Sequence, residues 1–244
     1  MKLKGKIALI TGGAIRVGRA LTLALAEAGC HVFIHYGRSA APAQQTQADA
    51  LDFGVKAHIY SADLADPAAA QSVIPAAVGQ YGRVDILINS AAIFPEEDTF
   101  TTTDLRLWEK LFAVNLRAPF LLSQAFAAQV LPDGQGKIIN ILDARLRQPA
   151  PDHFVYRLTK GGLWSMTEIL AYELAPRITV NAVALGAILP PPGADVSYLE
   201  NLAQTRVPLK RPGSPEIVAE NVLHLLRQDF LTGVTIPIDG GQFL

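Results

Sequence analysis

The sequence predicts a single α/β domain, residues 1–244, built on a doubly wound parallel sheet. Three observations carry this expectation. Short β-rich runs alternate with helical stretches along the chain, the pattern of βαβ units. The runs are continuously apolar, as strands covered on both faces are. The chain has 244 residues, half of them hydrophobic, which suffices for one sizeable core.

The elements follow in order. K-I-A-L-I-T (6–11) reads as a buried strand, and Arg16 to Gly29 as a helix of small apolar residues with a glycine stop. H-V-F-I-H-Y (31–36) is a second strand, followed by A-H-I-Y (57–60), D-I-L-I-N (85–89), K-I-I-N-I (137–141) and I-T-V-N-A-V (178–183). V-T-I-P-I (234–238) is the last. Helical stretches fall between them, among them 103–130 and 154–175. Right-handed crossovers joining parallel strands then give a Rossmann-like sheet. The segment L-G-A-I-L-P-P-P-G-A-D (185–195) is too rich in Pro and Gly for regular helix or central strand. It is a candidate lid, taken as residues 185–206.

Composition narrows the classes of function. A net charge of −1 offers no footprint for nucleic acid or an anionic membrane. No apolar stretch approaches a membrane span, and the amino-terminal run is too short for a signal peptide. The lone Cys30 cannot form an internal disulfide. A cytoplasmic setting is the expectation. His31 and His35 share a strand, about 13 Å apart, and no Cys/His cluster has zinc spacing, so no metal is expected.

Two regions carry chemistry. T-G-G-A-I-R-V-G (11–18) follows the first strand and opens the first helix. Glycines there let the backbone turn tightly and approach a pyrophosphate at the helix amino terminus. A site for NAD places an acid about 20 residues further on, to bond the ribose hydroxyl. Here Arg38 and Ser39 occupy that region, with Arg16 in the loop. Guanidiniums and a hydroxyl suit a 2′-phosphate, so NADP(H) is the expected cofactor. The second region is F-V-Y-R-L-T-K, with Tyr156 and Lys160 four residues apart and Asp143 thirteen residues before the tyrosine. Positions i and i+4 share a helix face. An ammonium beside a phenol favours the phenolate, which makes tyrosine a usable proton donor nearer neutral pH.

With A-D-L (62–64), I-N-S-A-A (88–92), N-L-R-A-P around Asn115, I-I-N-I (138–141) and D-G-G (239–241), these motifs resemble the short-chain dehydrogenase/reductase family over essentially the whole chain. The resemblance implies a coenzyme site formed by Gly12, Arg16, Val17, Gly18, Arg38, Ser39, Asp63, Leu64, Asn89, Ala91 and Gly186. In it Asp63 would bond the adenine, and Asn89 and Ala91 would line the ribose. It implies that Lys160 binds the nicotinamide ribose and lowers the Tyr156 pKa, that Tyr156 supplies the proton, and that Asn115 holds a water relaying protons to Lys160. It also implies a homotetramer acting on a small molecule.

The chain departs from that family at informative points. Asp143 stands where the family has a serine that helps hold a substrate carbonyl. A carboxylate is acceptor-only and would repel a developing alkoxide; protonated, it could donate. Either form suits a nitrogen-rich ring better than a bare ketone. Phe94 follows I-N-S-A-A-I, where an aromatic could stack on a flat heterocycle. Arg16, H-Y-x-R-S-A-A, Phe94 and the Asp143–Tyr156 spacing resemble the pteridine reductase subgroup. That implies reduction of pterin-type rings by NADPH, with Arg16 near both pyrophosphate and substrate, Phe94 stacking on the pterin, and the catalytic pair Asp143 and Tyr156 meeting the substrate and delivering protons. Ala92 and Leu185 stand where that subgroup has Ser and Pro. The competing expectations are a carbonyl or 3-oxoacyl-thioester reductase using NADPH, and a non-catalytic NADP(H)-binding sensor.

Overall fold

A computed structural model describes residues 1–95, 98–191 and 193–244, so Pro192 of the expected lid lies outside the described residues. Seven strands form one sheet: β1 (Ile7–Ile10), β2 (His31–Tyr36), β3 (Ala57–Ser61), β4 (Ile86–Asn89), β5 (Gly136–Asp143), β6 (Ile178–Leu185) and β7 (Thr235–Ile238). Their order is β3-β2-β1-β4-β5-β6-β7, and every pair is parallel. The expected fold class is the one observed. The chain runs outward from β1 to β3, then returns to pair β4 on the other side of β1. That reversal opens a crevice at the carboxyl ends of β1 and β4, where this architecture binds ligands.

Successive strand residues point to opposite faces, and both faces are covered. Ala8, Ile10, Val32, Ile34, Ile86 and Ile88 pack on one side with α1 (Arg16–Glu27), α2 (Ala40–Leu51) and α8 (Pro215–Arg227). Leu9, Phe33, Leu87 and Ile138 pack on the other with α3 (Pro67–Tyr81), α5 (Ala118–Gln129) and α6 (Phe154–Glu173). Local signals set the helix ends. Asp66 caps α3 by accepting from the Ala68 amide, with Pro67 at the first position and Gly82 in left-handed backbone after the last.

Three details differ from the sequence expectation. The helical stretch 103–130 is α4 (Leu105–Phe112), a five-residue π turn (Ala113–Arg117) and α5. Together Leu105–Gln129 make 25 residues, long and apolar enough to cross a membrane, although no such stretch was expected. Half of its apolar 18-residue window is buried, with α5 packed on α3 and the π turn on α6, as a core helix would be. Second, β5 and β6 run two residues past their expected ends, because they pair continuously from Gly136–Ile178 to Asp143–Leu185. That register delivers Asp143 to the carboxyl edge of the sheet. Third, the segment expected as a lid contains a helix, α7 (Val196–Arg206), capped by Asp195 accepting from the Tyr198 amide.

Candidate active site

A cleft of about 800 Å³ opens at the carboxyl edge of the sheet. Gly12, Arg16, Val17 and Gly18 line one end, and Arg38, Ser39, Asp63 and Leu64 line the next stretch. Ala91, Asp143, Tyr156, Lys160 and Gly186 line the remainder. A hollow of about 930 Å³ lies between Trp108, Phe120 and Met166 on the outer face of α4 and α5. It gathers neither the glycine loop nor the Tyr156–Lys160 pair, so the chemistry belongs to the cleft.

The loop after β1 is shaped for close approach. Gly12 has φ of 63°, the left-handed region that favours glycine. A Cβ added to Gly18 would land inside contact distance of the Gly12 carbonyl oxygen. The Ser90 and Ala91 amides both donate to Thr11 Oγ1 at 3.0 Å, tying this loop to the end of β4. The α1 amino terminus carries no side-chain cap and no acid in its first turn. Its free N–H groups are what an anion binds. Arg16 has a glycine-like φ of 54° and donates from Nη2 to the Pro190 carbonyl at 2.6 Å. Arg38 is exposed and makes no side-chain hydrogen bond or ion pair among the described residues. Asp63 Oδ1 accepts the Ala65 amide at 2.9 Å.

His35 has a task that the sequence did not signal. Its Nδ1 accepts from the Gly12 amide at 3.2 Å, and its Nε2 lies 3.0 Å from the Ala62 carbonyl. Those partners require the neutral ring with its proton on Nε2. Burial pushes its pKa from 6.5 down to about 4. The histidine thus braces the glycine loop from beneath.

The proton-transfer residues sit on α6. Asp98 starts this helix: its backbone carbonyl accepts the Phe154 amide at 3.1 Å and its side chain accepts the Val155 amide. Tyr156 and Lys160 are 6% and 3% exposed. The Tyr156 hydroxyl donates to Asp143 Oδ2 at 3.3 Å, and Lys160 Nζ donates to the Ile141 carbonyl at 2.8 Å. Lys160 Nζ stands 5.9 Å from the Tyr156 ring centroid. The electrostatics run opposite to the sequence expectation. Burial, and secondarily the Asp143 carboxylate, push the Tyr156 pKa well above the usual phenol value. Burial brings Lys160 down to about 8. The phenol keeps its proton at neutral pH, and the ammonium is poised near neutrality.

Two expected residues are turned elsewhere. Asn89 is buried and donates to Asn140 Oδ1 at 2.8 Å rather than reaching the cleft. Asn115, in the π turn, fastens the Ile93 backbone: its Oδ1 accepts the Ile93 amide at 2.8 Å and its Nδ2 donates to the Ile93 carbonyl at 2.9 Å. Its side chain is therefore a brace for the loop carrying Phe94. Phe94 stands edge-on to Tyr156, ring centroids 4.9 Å apart, and packs on His153 at 4.5 Å. Its ring is also covered by the Arg145 guanidinium, 5.2 Å from the centroid. A stacking slot on Phe94 is thus shared with Arg145, a residue that no sequence motif marks.

Residues 13–242 match the family described as enoyl-(acyl carrier protein) reductase. The 3-oxoacyl-[acyl-carrier-protein] reductase FabG of Aquifex aeolicus is 35% identical over 248 residues, covering 100% of this chain and 99% of that protein. FolM alternative dihydrofolate reductase 1 of Brucella canis, solved in complex with NADP, superposes with a TM-score of 0.92 at 33% identity, over 100% of this chain and 96% of the other. A short-chain dehydrogenase/reductase from Serratia marcescens superposes with a TM-score of 0.91 at 33% identity, over 100% of both chains. With these similarities spanning the whole fold, the chain belongs to the short-chain dehydrogenase/reductase family.

Proposed function

We propose that this oxidoreductase uses NADPH to reduce a pteridine-type ring of the dihydropterin or dihydrofolate kind. The observation that carries the reading is Asp143, whose Oδ2 lies 3.3 Å from the Tyr156 hydroxyl where the family has a serine. A carboxylate beside a proton donor can accept ring or exocyclic N–H groups, which a simple ketone lacks. The likeness to the Brucella dihydrofolate reductase supports it.

The cleft fits the coenzyme. The uncapped α1 amino terminus and the crowded Gly12–Gly18 contact suit a pyrophosphate. Arg38 and Ser39 suit a 2′-phosphate, and Asp63 and Leu64 the adenine end. Bound there, the coenzyme supplies a hydride. The protein supplies the proton and the positioning. Tyr156 Oη holds the proton and gives it to a substrate nitrogen as general acid. The Lys160 ammonium, 5.9 Å from the phenol ring, stabilises the phenolate that results. Asp143 orients the ring that receives the proton.

A 3-oxoacyl-thioester reductase is the second reading, favoured by the Aquifex relative at 35% identity. We also propose a cytoplasmic homotetramer, assembled through α4, α5 and α6, whose outer faces leave Phe120, Ile169 and Tyr172 exposed. NADPH oxidation with dihydropterin, dihydrofolate and acetoacetyl thioester separates the substrate readings. The pteridine reading expects pterin turnover, and a fall of about tenfold or more in Asp143→Ser. Turnover of the thioester alone, improved in Asp143→Ser, would overturn it.

A further inference from the structure

Arg145 is drawn into the site by the turn that follows β5. The Asp143 side chain caps this 3₁₀ turn, Ala144–Arg147, by accepting the Arg145 amide on Oδ1 at 2.9 Å. The turn folds the Arg145 side chain back over Asp143. Its Nε then lies 3.2 Å from both carboxylate oxygens of Asp143. The two side chains are 24% and 15% exposed, so the pair is only partly screened by water.

Among the described residues, the rest of the guanidinium is uncommitted. Arginine carries five N–H donors, and Nε alone is engaged with Asp143. The Asp152 carboxylate stands 3.9 Å from Nη1, beyond hydrogen-bond distance, and is itself held by Arg157 at 2.6 Å. Among the described residues, Nη1 and Nη2 of Arg145 make no hydrogen bond. They belong to the cluster formed by Asp143, Phe94 and Tyr156.

We propose that Arg145 is a substrate-binding residue, and that Asp143 and Arg145 together present a charge-neutral edge with acceptor and donors side by side. This rests on the reductase reading above. Such an edge matches an amide-like fragment, an N–H beside a carbonyl or ring nitrogen, held by paired charge-assisted bonds. The guanidinium also cancels the repulsion that Asp143 alone would exert on negative charge developing in the substrate. A lone acid replacing a serine would be a liability there; the pair is a different device.

Arg145→Met tests this, because it keeps an unbranched side chain over Phe94 and removes the donors. The Arg145 carbonyl that accepts from Arg157 Nη1 is backbone and survives the change. Three quantities are measured in wild type, Arg145→Met and Arg145→Lys: NADPH affinity by fluorescence, dihydropterin affinity for the NADP⁺ complex by calorimetry, and KM against kcat. Arg145→Met is expected to bind NADPH normally and to lose about tenfold to a hundredfold in dihydropterin affinity. KM should change more than kcat, and Lys should restore part of the loss. Unchanged dihydropterin affinity in Arg145→Met overturns the proposal, and so does tighter binding, which would make the guanidinium a mere cover on Phe94. If wild type reduces acetoacetyl thioester and not dihydropterin, the pteridine reading falls. Arg145 is then judged by its KM for the thioester: a tenfold rise in the Met variant sustains the donor role, and no rise overturns it. Wild type that neither binds nor reduces either compound overturns both.

Discussion

His35 should make the stability of this protein depend on pH in a narrow and calculable way. Its ring is buried, accepts from the Gly12 amide and reaches the Ala62 carbonyl, and burial lowers its pKa from 6.5 to about 4. The unfolded chain takes up this proton as pH falls below about 6.5, while the folded chain resists until about 4. Between those values the unfolded state binds more protons, so stability falls with falling pH and is fully present above about 6.5. A tenfold difference in proton affinity between the two states corresponds to about 1.4 kcal/mol, which makes the full loss about 3 kcal/mol. The assay is urea denaturation at pH 7.5 and 4.5 for wild type and His35→Asn. The variant has no proton to gain, and its amide oxygen can still accept from Gly12. Carboxylates elsewhere titrate alike in both proteins, so the difference between the two pH responses isolates His35. Wild type should lose about 2–3 kcal/mol more than the variant across this interval. Equal losses would mean that the ring is protonated or exposed in the folded state, and the account of the braced loop would be wrong.

Three further outcomes are expected. Arg38→Ala should weaken NADPH binding about tenfold to a hundredfold and leave NADH nearly unchanged; titration of both coenzymes checks this, and equal wild-type affinity for the two would sink the 2′-phosphate assignment. Tyr156→Phe should bind NADPH yet lose about 10²–10⁴ in turnover, so near-normal turnover would place the proton donor elsewhere. Gly18→Ala should abolish tight coenzyme binding, since its Cβ collides with the Gly12 carbonyl. The test is fluorescence titration on protein shown to be folded by circular dichroism, and wild-type affinity would show that the loop yields easily.

The sheet is legible in the sequence because its strands are short apolar runs whose identity does not depend on what they pack against. All seven expected strands are present within two residues of their ends. The glycine loop, Arg38, Tyr156 and Lys160 are legible for a similar reason: each motif is local. What the sequence hides depends on contacts between distant segments. Asn89 and Asn140 are hydrogen-bonded across neighbouring strands, and Asn115 reaches back to Ile93. His35 bonds Gly12, 23 residues away. Arg145 comes nearest to being readable, two residues beyond Asp143, yet only the turn after β5 decides that its side chain folds back. The expected lowering of the Tyr156 pKa fails because composition shows a nearby lysine but not burial, which dominates here.

Arg16 straps one edge of the cleft together. Its guanidinium reaches across 174 residues of sequence to the Pro190 carbonyl, while its backbone opens α1. One N–H cannot serve that carbonyl and an incoming anion at full strength. The guanidinium has four other N–H donors, so an anion can be met without surrendering the strap between the first loop and the segment ahead of α7. The first loop and the segment ahead of α7, far apart in sequence, are thus held as one edge of the cleft by a single side chain.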